Sequence, residues 1–147
     1  MRCRVALLVP LLAAATFFAS LVLASLAFAA TPPTLVGNWF GTGQPEDRSK
    51  MYIDHFLPGG GFRAEHRLCR QGKAFDGAQT GHWSLKGDIL TLHIATESGL
   101  QVERDDVYRL VLLDARKQTT IYLPKNFSYK DTRVENGFRM PDCDVSS

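Results

Sequence analysis

Four histidines, at positions 55, 66, 82 and 93, are the chain's main candidates for general-base or metal chemistry. Their spacing argues against most of it. There is no H-E-x-x-H pair, no G-x-S-x-G elbow, no phosphate loop and no Gly-rich nucleotide fingerprint. No catalytic residue is therefore nominated and no cofactor is implied. His82 and His93 flank the stretch "WSLKGDILTL", and a two-residue turn at Gly87-Asp88 would set them directly opposite one another. Opposed Cβ atoms lie about 4.5–5.5 Å apart, near enough for two imidazoles to share a transition-metal ion. Two exposed histidines alone make a weak metal site, and a solvated pair is the plainer reading. Protonated together in mild acid, they would repel.

His66 falls in phase with Phe62, Ala64 and Leu68, so its side chain is expected on an inward face. A lone inward histidine is ordinarily a hydrogen-bonded core residue. Asp131 and Arg133 alternate in phase with Phe127 and Tyr129. Buried charges need partners, so these two read first as an internal ion pair. The other reading has them line a cavity with His66 and orient the polar head of a ligand. An enzyme would require His66 to converge with Asp131 or Tyr129 in one pocket.

These residues need a scaffold, and its address comes first. The chain opens "MRCRVALLVPLLAAATFFASLVLASLAFAA", two arginines and a long apolar run ending in Ala27-Phe28-Ala29. That is the build of a secretory signal peptide over residues 1–29, leaving a domain over 30–147. The alternative is an uncleaved anchor, since the run is long enough to span a bilayer. Either reading exports the domain, to the periplasm or beyond, and touches the membrane only through this segment. Past the leader, Cys69 and Cys143 remain, and export favours their pairing as a disulfide. A redox role would call for C-x-x-C spacing, which is absent.

The whole chain carries 17 Lys and Arg against 15 Asp and Glu, and the excess of two belongs to Arg2 and Arg4. A near-neutral domain argues against nucleic-acid binding, which draws its affinity from clustered cations. The cluster in "FRAEHRLCRQGK" is interrupted by Glu65 and reads as a solvated strand face. Nothing in the sequence speaks to oligomeric state.

Strand signals recur with short gaps and nothing of helical period competes. They are "LVGNWFGTG", "KMYIDHFL", "FRAEHRLCR", the hairpin from Gly81 to Leu92, "DDVYRLVLLD", "KQTTIYLP" and "NFSYKDTRV", with "GFRM" closing. The segments "QPEDRS", "QGKAFDGAQT" and "ATESGLQVERDD" read as loops. The fold class is all-β, an antiparallel up-and-down β-barrel or half-barrel of about eight strands after an N-terminal signal helix.

The succession "VGNWFG", "HFLPGGGF", "GHWSLKGDILTL", "YRLVLLD" and a late "GFR" resembles the small bacterial lipocalin-like domains, relatives of the calycin barrels. The resemblance covers most of the domain. It implies a Gly-x-Trp segment crossing one barrel end, with a late basic residue packed on the Trp. Here Trp39 is that tryptophan, and Arg139 or, as second choice, Arg133 is its partner. The family's more familiar Asp-Gly turn is replaced by Gly59-Gly60-Gly61. A guanidinium on an indole face contributes about 0.5–2 kcal/mol and closes that end structurally.

A closed floor allows the opposite end to be a cup. An eight-stranded barrel has an interior that side chains just fill or that holds one small ligand. The candidate lining is Phe62, Ala64, His66, Trp83, Tyr129 and Asp131. The expected function is an exported binding protein holding a small apolar or amphipathic molecule. The alternative is an envelope interaction or inhibitor protein with a filled barrel that acts through its loops.

Overall fold

The computed structural model of the chain describes residues 34–44 and 46–143. The leader expected over residues 1–29 lies outside them. Eight antiparallel strands close into a barrel in chain order: β1 (Gly37–Gly43), β2 (Asp47–Phe56), β3 (Gly61–Arg70), β4 (Lys73–Lys86), β5 (Ile89–Glu97), β6 (Leu100–Leu113), β7 (Lys117–Tyr122) and β8 (Phe127–Val134). Each strand pairs with the next, and β8 returns to β1 through Asn38–Val134, Trp39–Arg133 and Phe40–Thr132. Closure satisfies the backbone groups that an open sheet would expose at its edges.

The β4–β5 hairpin shows how the sequence sets register. Gly87 takes φ of +62°, as a primed turn with glycine at its first central position requires. Lys86 then pairs with Ile89, Leu85 with Leu90, Trp83 with Leu92 and His82 with His93. Gly81 stands where a Cβ would overlap the His93 carbonyl, beside the bulge that leaves Ala95 of β5 as the extra residue opposite Thr80 and Gly81.

Two of the expected loops are largely strand. β4 begins at Lys73, and Gln71-Gly72 alone make its turn, both with positive φ. Likewise β5 runs to Glu97 and β6 starts at Leu100, joined by Ser98-Gly99, again both positive in φ. Two consecutive positive φ values match the right-handed twist of the flanking strands, so long hairpins replace loops. The closing "GFRM" is not a strand: residues 137–140 belong to an irregular tail.

That tail braces the outer wall. Met51 and Ile53 point away from the barrel interior yet are only 6% and 2% exposed. Phe138 packs on Phe40 with ring centroids 5.2 Å apart, and Arg67 donates to the carbonyls of Met140 and Pro141. The Cys69–Cys143 disulfide fixes the end of the tail to β3.

Candidate functional site

Up-and-down connectivity sends alternate turns to opposite ends of the barrel. One end gathers residues 57–60, 87–88 and 114–116 with the incoming segment 34–36; the other gathers 44 and 46, 71–72, 98–99 and 123–126. The first end is closed. Trp39 is fully buried and its indole Nε1 donates to the Leu35 carbonyl at 2.8 Å. The Arg133 guanidinium lies 4.1 Å from the Trp39 ring centroid. It also donates to the carbonyls of Val36 (2.8 Å), Ala115 (2.9 Å) and Thr34. One side chain thus ties the entering chain, the β6–β7 turn and β8 to the indole.

The partner of Trp39 is Arg133 and not Arg139. Arg133 is directly opposite Trp39 across the β1–β8 seam, whereas Arg139 is exposed on the tail, five residues past the end of β8. Arg133 is also not the ion partner of Asp131. With its donors spent on carbonyls of the floor, it leaves the carboxylate to other groups.

Above the floor, a cavity of about 570 Å³ opens toward the opposite end. Its deep wall is apolar, made by Phe56, Phe62, Leu90 and Leu92. Four of the residues expected to line it, Phe62, His66, Tyr129 and Asp131, do face it. Ala64 and Trp83 do not. Ala64 is fully buried in the core beneath, and Trp83 stands edge-on to Phe56 at 5.7 Å with its Nε1 donating to the Leu57 carbonyl. The indole follows the hairpin to the closed end, because Trp83 is four residues from the β4–β5 turn.

Polar groups line the middle of the cup. Tyr52 donates to Asp131 Oδ1 at 2.5 Å and Gln118 Nε2 donates to Oδ2 at 2.7 Å. Gly41 makes this possible, since a Cβ there would overlap both the Tyr52 hydroxyl and Asp131 Oδ1. Burial raises the Asp131 carboxyl to about 6, against the pull of its two donors. Asp54 lies one turn of the pleat deeper on β2, and burial, then the charge of Asp131, push it well above the usual carboxylate range. It accepts no hydrogen bond from the described residues, and its side chain faces the cavity. Tyr129, edge-on to Tyr52 at 6.0 Å and to Tyr108 at 6.4 Å, completes an aromatic wall.

His66 lines the same cup, with its pKa lowered chiefly by burial and its Nε2 without a partner. No hydrogen bond joins it to Asp131 or Tyr129 among the described residues, so no acid–base pair is assembled there. His93 stands opposite His82 but turns both ring nitrogens to β6: Nδ1 to Asp105 at 2.8 Å and Nε2 to Glu103 at 3.0 Å. Among the described residues, no group of three or more His, Cys, Asp or Glu side chains is placed to hold a metal ion.

Sequence reasoning missed Tyr52, Asp54 and Gln118. The signal was available for the first two: Tyr52, Asp54 and Phe56 alternate in "KMYIDHFL". Met51 and Ile53, both buried, hid it by making the other face look like the core. No known family profile matches the chain, and no curated protein matches it in sequence. The closed eight-stranded up-and-down barrel is compatible with a calycin-type fold.

Proposed function

We propose that this is an exported, lipocalin-like binding protein, periplasmic or secreted, that holds one small amphipathic molecule in the cup. The observation that supports this best is the pairing of a sealed floor with an open cavity of about 570 Å³. That volume lies in the range of sites that bury a small organic ligand. The walls divide as an amphipathic guest requires, apolar at depth and polar at mid-height. The disulfide is consistent with an oxidising compartment.

His66 has Gln79 as a hydrogen-bonding neighbour and no hydrogen bond to Asp131 or Tyr129 among the described residues, so no acid–base pair supports a catalytic reading. Binding without chemistry accounts for the groups present. Native mass spectrometry of the protein purified from its own host tests the reading. Retained small-molecule mass, displaced when the cup is blocked by Gly77→Trp at its rim, is the expected result. Ligand mass that persists in that variant would place binding elsewhere and overturn the reading.

A further inference from the structure

The cations around the cup are already matched to acids. Lys50 pairs with Asp47 at 3.5 Å, Arg67 with Asp76 at 2.8 Å, and Arg104 with Glu97 at 3.1 Å and Asp106 at 3.2 Å. Asp54 and Asp131 are left without a cation among the described residues. Two further observations concern hydrogen bonding. Gln118, only 2% exposed, commits its amide nitrogen to Asp131, and its Oε1 is a buried acceptor with no donor. Asp54 is different: it is half-buried and open to the cavity, and it accepts no hydrogen bond from the described residues. A buried acceptor left unpaired costs about 1–3 kcal/mol, so native structures seldom leave one without a partner.

What the cup lacks is therefore a donor, and a positively charged one. We propose that its ligand is an organic cation, a small amine whose ammonium group is held by the Asp54 carboxylate, with its apolar body against Phe56, Phe62, Leu90 and Leu92. An ammonium has three donors and no acceptor, which matches a site of unpaired acceptors. The rings of Tyr52, Tyr108 and Tyr129 offer the negative π-faces that attract such a charge. An inorganic cation suits the site less well, because hard cations take six or more oxygen ligands and leave the apolar wall unused. Burial favours the neutral form of both carboxyls, and a neighbouring ammonium favours their ionised form.

This inference rests on the cup being a binding site, and the test separates the two. Tryptamine, tryptophol and indole-3-propionate share one body and differ in head group: cation, neutral alcohol and anion. Isothermal titration calorimetry of each against the disulfide-bonded domain at pH 7.5 should show tryptamine binding roughly 10- to 100-fold more tightly than tryptophol. Indole-3-propionate should bind most weakly. Asp54→Asn, which keeps the shape of the side chain, should remove the preference for tryptamine and leave tryptophol unchanged. Equal binding of alcohol and amine, or tighter binding of the anion, overturns the cation assignment while leaving a binding cup. No binding by any of the three overturns the cation assignment, and, joined to an empty native mass spectrum, the binding reading as well. Because the head-group series is read on the native protein, a variant that failed to fold would not blunt it.

Discussion

The two ends of the barrel contain similar side chains in opposite states of satisfaction. At the floor, the donors described for Trp39, Trp83 and Arg133 end on backbone carbonyls. In the cup, Asp54 has no donor, Gln118 Oε1 and His66 Nε2 have no partner, and two carboxyls are raised by burial. Folding supplies partners freely at the floor, where three segments cross within reach of one guanidinium. It withholds them in the cup. Polar groups buried without partners destabilise a fold, and two of the three such atoms among the described residues belong to the cup, the third being His55 Nε2 away from it, so the concentration there points to function.

That contrast predicts where mutations divide stability from binding. Trp39→Ala removes the buried indole on which the floor is built and should cost about 3–5 kcal/mol by denaturant unfolding. Cup affinity, measured on the folded protein, should stay within a small factor of native. A large loss of affinity with intact stability would show that floor and cup are one unit. Reducing the Cys69–Cys143 bridge should come next, costing about 2–4 kcal/mol, because it frees a sequence separation of 74 residues in the unfolded chain. It loosens the outer brace over Met51 and Ile53 and leaves the cup's lining untouched. Titration of free thiols in denatured, unreduced protein should find none at these two positions.

In the cup the sign reverses, and substitution should stabilise. The folded-state Asp131 carboxyl sits near 6 while the ordinary value is 3.8. Between those values the folded protein holds a proton that the unfolded chain has lost, so stability falls as pH rises through that window. A displacement of that size corresponds to at most about 3 kcal/mol. Relative to the native protein, Asp131→Asn should therefore gain stability from pH 4 to pH 7, and Asp54→Asn should behave likewise. Chemical denaturation at both pH values checks this. Parallel curves for native and variant would mean that Asp131 titrates normally, and the contrast between floor and cup would lose its electrostatic half.

The same division governs what could be read from the sequence. The floor was legible because its strands keep strict alternation: Trp83, Leu85, Leu90 and Leu92 announce a hairpin, and its register follows from Gly87-Asp88. The cup was less so, because a polar interior erases the period-two signal. Gln79, Glu97, Arg104 and Asp106 sit on strands whose two faces are both polar, and those stretches read as loops. The Ser98-Gly99 and Gln71-Gly72 dipeptides were the remaining clue that hairpin turns, not loops, lay there. Resemblance alone favours Arg139 over Arg133, and only the β1–β8 register distinguishes them. Asp54 needed the knowledge that Met51 and Ile53, on the other face of β2, are buried as well.

The smallest effect lies outside both regions, on the wall where His82 and His93 face each other. Two opposed imidazoles predict a loss of stability in mild acid. The structure gives the opposite sign. His93 is held between Asp105 and Glu103, and the hydrogen bond it donates to Asp105 raises its pKa above 6.5, with the two negative charges adding to the effect. A group raised in the folded state contributes stability that is fully present below its unfolded pKa and is lost as pH rises through the folded value. Its ion pairs therefore favour folding in mild acid and fade toward neutral pH. Both partners are solvent-exposed, so the gain is small and screened by salt. Comparing melting temperatures at pH 5.5 and pH 8 should show that His93→Ala loses the small acid-side increment at low ionic strength. His82→Ala should keep it, and added zinc should shift neither. If His82→Ala instead raises the acid-side melting temperature, repulsion between the two rings outweighs the carboxylates, and the wall behaves as the opposed pair alone would suggest.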